Sequence, residues 1–147
     1  MTQAIKVLVG DWRALGEQAA ALRHQVFVVE QGVPPEEELD EQDAACVHAL
    51  AVDADGRAVG TGRLLPDGHI GRMAVLAASR RRGVGSLLLR ALMGEARRKG
   101  CRAVALAAQL HAQPFYRAHG FQAKGGVFLD AGIEHILMRR DLGKGKE

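Results

Sequence analysis

Aromatic residues are scarce in this 147-residue chain: one Trp, one Tyr and four Phe, 4% of the total. A surface that stacks nucleobases needs exposed rings, so the scarcity argues against that mode of nucleic-acid binding. The core has to be assembled from Ala, Val and Leu instead. Cysteine is nearly absent too. Cys46 and Cys101 form no CxxC and have no histidines at zinc spacing, so no metal centre is expected. Both stand in apolar surroundings, AACVHAL and GCRAVAL, which points to buried, inert thiols in a reducing compartment rather than a disulfide. No apolar run approaches the roughly 20 residues that cross a bilayer. The opening MTQAIKVLVGDW lacks the basic region, apolar stretch and cleavage site of a secretory signal. The cytoplasm is the expected location, and no membrane partner is expected. Internal repeats and low-complexity linkers are missing as well. The length therefore suits a single domain over residues 1–142, with the terminal GKGKE, 143–147, expected as a disordered tail.

What is present is an ordinary globular balance, 48% hydrophobic and 25% charged, with a net charge of only +3. The charge is uneven. EEELDEQD, 36–43, is strongly acidic, while 80–102 gathers most of the clustered arginines. These stretches are either two solvated faces or two surfaces that steer a cationic and an anionic ligand.

Hydrophobic period gives the element order. Ile5, Val7 and Val9 mark a strand over 3–9. Asp11 caps a helix whose stripe is Leu15, Ala19, Leu22, Val26 and Val29, stopped by Gly32 and Pro34-Pro35. Strands at 46–52 and 58–65 flank the turn Asp55-Gly56, and Pro66-Asp67-Gly68 returns the chain into a strand at 69–75. A long helix follows with Val84, Leu87, Leu88, Ala91 and Leu92 on its buried side, ending at Gly100. A buried strand at 102–108, a short helix from Pro114 to His119-Gly120, and strands at 121–128 and 133–139 complete the chain. Such an order is mixed α/β, with antiparallel hairpins joined to a parallel pair around the long helix.

The sequence Arg80-Arg81-Arg82-Gly83-Val84-Gly85 carries the sharpest signal. A Walker loop would need Gly-Lys followed by Ser or Thr, and no Lys stands there. A dinucleotide fingerprint would need a third glycine where Leu88 stands. A nucleic-acid patch would need a reader helix or aromatic platforms. A pyrophosphate cradle needs free backbone N–H groups at a helix start, close approach of the backbone and nearby positive charge, all of which this turn supplies. A glycine-rich entry to a core helix would look the same.

The wider segment MAVLAASRRRGVGSLLLRAL resembles motif A of the GNAT N-acetyltransferase superfamily, with Arg80, Gly83 and Gly85 at the positions of R/Q-x-x-G-x-G/A. ALAAQLHAQPFYRAHGF resembles its motif B. LRHQVFVVEQG, LDEQD and AGIEHILM are similar to the ElaA-like branch. Two positions depart from the commoner pattern: Arg81 stands in place of a frequent glycine, and Gln109 in place of a frequent Asn. The resemblance implies an α/β GNAT fold: a mixed, mostly antiparallel twisted sheet of about six to seven strands. A central parallel pair would splay at the acetyl-CoA site, with helices flanking the sheet.

It also implies direct acetyl transfer from acetyl-CoA to an amine of a small molecule or peptide, in a ternary complex. The alternative is a coenzyme A-binding regulatory or interaction module without transfer. The implied coenzyme A contacts are Met73, Ala74 and Val75 on the strand, Arg80, Arg81, Arg82, Gly83, Val84, Gly85 and Ser86 at the turn, and Gln109, Phe115 and Tyr116 in motif B. Tyr116 matches the position that faces the leaving thiolate, and its ordinary pKa of about 10 suits a proton donor. Glu30 and His135 are the leading bases, and Glu30, Asp40, Asp43, His48, His111 and His135 are the candidates for the acceptor side. A homodimer is expected by family analogy, and no nucleic-acid partner is expected.

Overall fold

The computed structural model describes residues 4–38 and 40–143. Gln3 and residues 144–147, parts of the expected first strand and of the tail, lie outside the described residues. Strand β1 (Lys6–Gly10) leads into helix α1 (Trp12–Arg23), whose N-terminus is closed by the Asp11 carboxylate accepting from Ala14 N at 2.9 Å. Leu15, Ala19 and Leu22 are buried as the period requires. The helix does not simply continue. Over His24–Glu30 it widens into a π-helix, which breaks the 3.6-residue period. Val26 stays buried, but Val29 turns out to solvent with 59% of its surface exposed, so the expected stripe ends one residue type early.

The acidic stretch carries a short helix α2 (Pro35–Glu38) and a 3-10 turn at Glu41–Ala45. Strands β2 (Val47–Val52), β3 (Ala58–Leu64) and β4 (Ile70–Val75) then extend β1 into an antiparallel sheet of order β1-β2-β3-β4. Helix α3 (Val84–Arg98) packs its Val84, Leu88, Leu89, Leu92, Met93 and Ala96 into the main core. Leu87 and Ala91, expected on the buried side, are only half-buried. Gly100 at φ +87° ends the helix, with Cys101 N bonding back to Ala96 O at 2.9 Å. Strand β5 (Ala103–Gln109), helix α4 (Gln113–Ala118), and strands β6 (Gln122–Asp130) and β7 (Ile133–Asp141) complete the fold, the last sheet running β5-β7-β6.

The two sheets meet between β4 and β5 as parallel neighbours, at a single bridge, His69 with Ala105. Ala105 N donates to Gly68 O at 3.2 Å. A Cβ at Gly68 would stand 2.9 Å from the Ala103 carbonyl, and its φ is +96°, so the close crossing requires glycine. Past that bridge the strands are unpaired with each other among the described residues, and the sheet opens into a cleft. A bulge in β4 lies beside it: Thr61 opposes Ala74 and Arg63 opposes Gly71, which leaves one extra residue on β4. Arg72, in that extra stretch, has φ +50°.

A ring of six alternating charges joins these parts. Arg23 on α1 pairs with Glu38 at 2.6 Å and Asp43 at 2.8 Å. Arg63 on β3 pairs with Asp43 and Asp40, both at 2.8 Å. Arg72 closes the ring, 3.1 Å from Asp40 and 3.6 Å from Glu38. Arg63, pressed against two carboxylates, holds its proton more tightly than a free arginine despite the cost of burial.

The same contacts hold the Asp40 carboxyl down at about 2, chiefly through its hydrogen bonds from Arg63. A depressed carboxyl stabilises the fold above its unfolded pKa, and the contribution is lost as pH falls through the folded value. Asp40→Asn keeps the cap on Gln42 but removes the charge. It is expected to cost about 1–2 kcal/mol near neutral pH, allowing for screening at the exposed edge of the carboxylate. Urea unfolding between pH 5 and pH 2 should show a flatter acid limb in the variant than in the wild type.

Candidate active site

The opening between β4 and β5 leads into a cavity of about 830 Å³. Strand alternation decides which backbone groups face it. Leu76 N bonds to Val59 O on β3 at 2.9 Å, so the Ala74 amide points the same way and the Val75 N–H and C=O turn towards β5. Of the Ala74 and Val75 amides, Val75's is the free one. Met73, Ala74 and Val75 all line the cavity.

The glycine turn closes one end. Arg81 and Gly83 both take left-handed backbone, φ +63° and +81°, and Arg81, Arg82 and Gly83 are exposed. No side chain caps α3 and no acidic residue stands in its first turn, so the amides of Val84, Gly85 and Ser86 are available to an anion. The Val84 side chain itself is core, and the Ser86 hydroxyl bonds to His119 Nε2 at 2.9 Å. Gly85 lines the cavity beside Phe115, whose Cζ would lie 3.3 Å from a Cβ there.

Arg80 and Glu30, expected on opposite partners, meet each other. The guanidinium forks onto the Glu30 carboxylate with both contacts at 2.6 Å, and Arg80 Nε donates to the Val75 carbonyl at 2.9 Å. Arg80 holds Glu30 below the usual carboxylate range, which makes it a weak base in this arrangement. Gln109 Nε2 reaches Gln31 Oε1 across the cleft at 3.1 Å.

Tyr116 is 9% exposed, edge-on to Phe115 at 5.0 Å and Phe121 at 5.8 Å, and belongs to the core while also lining the cavity. Its hydroxyl makes no hydrogen bond among the described residues, and burial pushes its pKa up to about 12. It therefore keeps its proton at neutral pH. His135 lines the opposite wall. Its Nδ1 lies 2.7 Å from the Ile133 carbonyl, and a carbonyl only accepts, so Nδ1 carries a hydrogen and Nε2 has no partner among the described residues. The ring stacks on Phe128 at 6.0 Å. His111 is exposed at the rim.

Three acceptor candidates lie elsewhere. His48 is buried against Trp12 and donates from Nε2 to the Asp43 carbonyl at 2.9 Å, with burial drawing its pKa down. Asp40 and Asp43 are members of the charge ring, with no carboxylate left over for a solvent-borne amine. The reading of the acidic segment as a steering surface is therefore corrected at these two positions. Arg63, Arg72 and Gln31 line the cavity and were missed. A signal for the ring did exist: Arg23 falls on the apolar face four residues after Ala19, and Arg63 interrupts an apolar strand. Cys46 donates to Gln42 O and Cys101 is half-buried; both are free thiols and neither lines the cavity.

Residues 14–142 match the family model described as an acetyltransferase (GNAT) domain. The chain belongs to the GNAT acetyltransferase family. YjcF of Bacillus subtilis, named as an uncharacterised N-acetyltransferase, is 40% identical over 129 residues, covering 85% of this chain and 91% of YjcF. Among solved structures, Escherichia coli ElaA superposes with a TM-score of 0.83 at 28% identity, covering 94% of this chain and 100% of ElaA. An acyl-CoA N-acyltransferase from Pseudomonas aeruginosa superposes with a TM-score of 0.81 at 32% identity, covering 93% and 99%.

The protein is an acetyltransferase that uses a coenzyme A-based acyl donor. GNAT enzymes act on amine acceptors. No helix among the described residues is long and apolar enough to cross a membrane. The site fits the donor: the uncapped α3 start offers amides to a pyrophosphate, and the Val75 backbone offers a partner to an amide-bearing arm. Coenzyme A is expected to raise the melting temperature by mass action, and Gly85→Val should abolish that rise by crowding Phe115 and the turn. Gly83→Val is the poorer probe, since its left-handed backbone alone would cost a branched residue about 1–2 kcal/mol. A full shift in a folded Gly85→Val protein, read by thermal denaturation against coenzyme A concentration, would rule out the cradle.

Proposed function

We propose that this acetyltransferase moves acetyl from acetyl-CoA directly to the amine of a small molecule, with Tyr116 as proton donor and His135 as proton acceptor. The observation that carries this reading is the Tyr116 hydroxyl, buried at the cleft wall with its proton retained and no partner inside the protein. When bound, the thioester supplies an activated acyl carbon and a thiolate that must leave. The Val75 N–H, turned into the gap, hydrogen-bonds the acyl oxygen as charge grows on it. His135 Nε2 accepts the proton that the attacking amine sheds, and the Ile133 carbonyl stabilises the resulting imidazolium through Nδ1–H. Tyr116 donates its proton to the departing sulfur. The dry wall that raises the phenol also disfavours a bare thiolate, so the two proton affinities move in the same direction.

Direct transfer is supported by the same geometry. Neither cysteine lines the cavity, and burial raises the Cys46 thiol, so no thiolate is placed to take the acyl group. Glu30 is left to orient Arg80 rather than to carry protons.

Tyr116→Phe keeps the ring and its packing. Turnover should fall by roughly 10²-fold or more, while coenzyme A still stabilises the protein. Stability should hardly change, because the hydroxyl has no internal hydrogen bond to lose. Acyl transfer to an amine panel, followed by thiol release and mass detection of the product, measures both effects. Undiminished turnover in the variant would return Tyr116 to packing alone.

A further inference from the structure

Arg72 differs from the other two ring arginines in ways that the transfer chemistry does not use. It sits at the β4 bulge with a left-handed backbone. Its Nε is buried without a hydrogen-bond partner, the Glu38 carboxylate being 3.6 Å away. Its Nη2 is divided between the Glu38 carbonyl and Asp40, both at 3.1 Å, and its Nη1 makes no hydrogen bond among the described residues. Arg63 also has an unpartnered Nε, but both of its Nη atoms are taken by Asp40 and Asp43 at 2.8 Å. The Arg72 side chain is 26% exposed and lines the cavity, whereas Arg23 and Arg63 are sealed at 1% and 5%.

The groups packed around Arg72 leave its charge poorly compensated. Glu38 is shared with Arg23 and Asp40 with Arg63, both at shorter distances than to Arg72. Burial, together with the neighbouring Arg63 and Arg23, works against the cation. An anion entering the cavity would relieve this. Nη1 is the nitrogen left to donate, and a carboxylate can accept a charge-assisted hydrogen bond from it. A dianion is disfavoured beside Glu38 and Asp40. Towards solvent the same cavity presents the exposed carboxylates Glu37 and Asp130, which suit an ammonium. Arg72 lies three residues before Val75, within about 10 Å of strand, a span that the arginine side chain and a small molecule bridge together.

We propose that Arg72 anchors a carboxylate carried by the acceptor, so that the amine acetylated here belongs to an amino acid or a similar small amino-carboxylate. This rests on the acetyl-transfer reading above and assigns the other half of the same site.

The test uses matched triplets that differ only at the carboxylate: L-lysine, L-lysinamide and cadaverine, and L-leucine, L-leucinamide and isopentylamine. Each is titrated calorimetrically into the full chain with and without coenzyme A, and each is assayed with acetyl-CoA. The free acid is expected to bind, and to be acetylated with kcat/KM, about tenfold or more above its amide and its decarboxylated partner. Arg72→Asn removes the cation while suiting the left-handed backbone. It should raise KM for the acid about tenfold more than KM for the decarboxylated amine, with kcat for the two moving together, so that the preference between them collapses. Arg72→Lys should fall between wild type and Arg72→Asn.

Equal binding across both triplets in the wild type overturns the proposal without recourse to any variant, and so does an acid preference that survives in a folded Arg72→Asn protein. Failure of coenzyme A to stabilise the wild type would overturn the donor reading instead. The carboxylate preference is then still decided by titration into the free protein, whose cavity already presents Arg72.

Discussion

The closed ring of Arg23, Glu38, Arg72, Asp40, Arg63 and Asp43 ties four separate pieces of chain to one wall of the cleft. Each ion has an opposite charge on both sides, which is the condition under which buried ions are tolerated. Such a ring does not have to add much net stability. Removing a sealed member such as Asp43, however, strands two buried arginines, at a cost of about 3–5 kcal/mol, while the partly exposed Asp40 and Arg72 cost less. What it does fix is position. It sets α1 and its π-helical extension against β3 and the bulge of β4, so the acceptor side of the cavity has a rigid floor. The loosest link, at Arg72, lines the cavity and is the ring's most exposed arginine.

The donor side is built on a different principle. There the chain leaves backbone groups unpaired rather than pairing charges. The parallel strands touch once, at His69 and Ala105, and the Val75 N–H and the uncapped start of α3 stay available. Arg80 links the two halves, since its guanidinium holds both the Val75 carbonyl and Glu30 from the π-helix. Any ligand that draws Arg80 towards the glycine turn would at the same time release Glu30 and the Val75 carbonyl.

Much of this was legible in the sequence where the signal was local. The glycine turn, the amphipathic α3, the Asp55-Gly56 hairpin and the order of the seven strands follow from residue type and period within short windows. Their limits shift by one to three residues. Val29 failed because a π-helix changes the period without a residue that announces it. Asp40 and Asp43 failed because acidic side chains look alike whether solvated or paired, and their partners lie 20 residues or more away in sequence. Glu30 and Arg80, expected on the acceptor and coenzyme A sides, both line the cavity. Their mutual pairing, across 50 positions, depends on folding and has no local trace. Arg72 was passed over for a related reason: one extra residue in β4 decides where its side chain goes, and a bulge does not show in strand alternation.

The opening between β4 and β5 as the seat of the donor is most directly tested by residue-resolved amide hydrogen exchange, measured by NMR with and without coenzyme A. Slowed exchange at Val75 and at Val84, Gly85 and Ser86, with the outer strand β1 unaffected, is the expected result. Coenzyme A that binds while leaving those four amides unchanged, or that protects a different set, would contradict it.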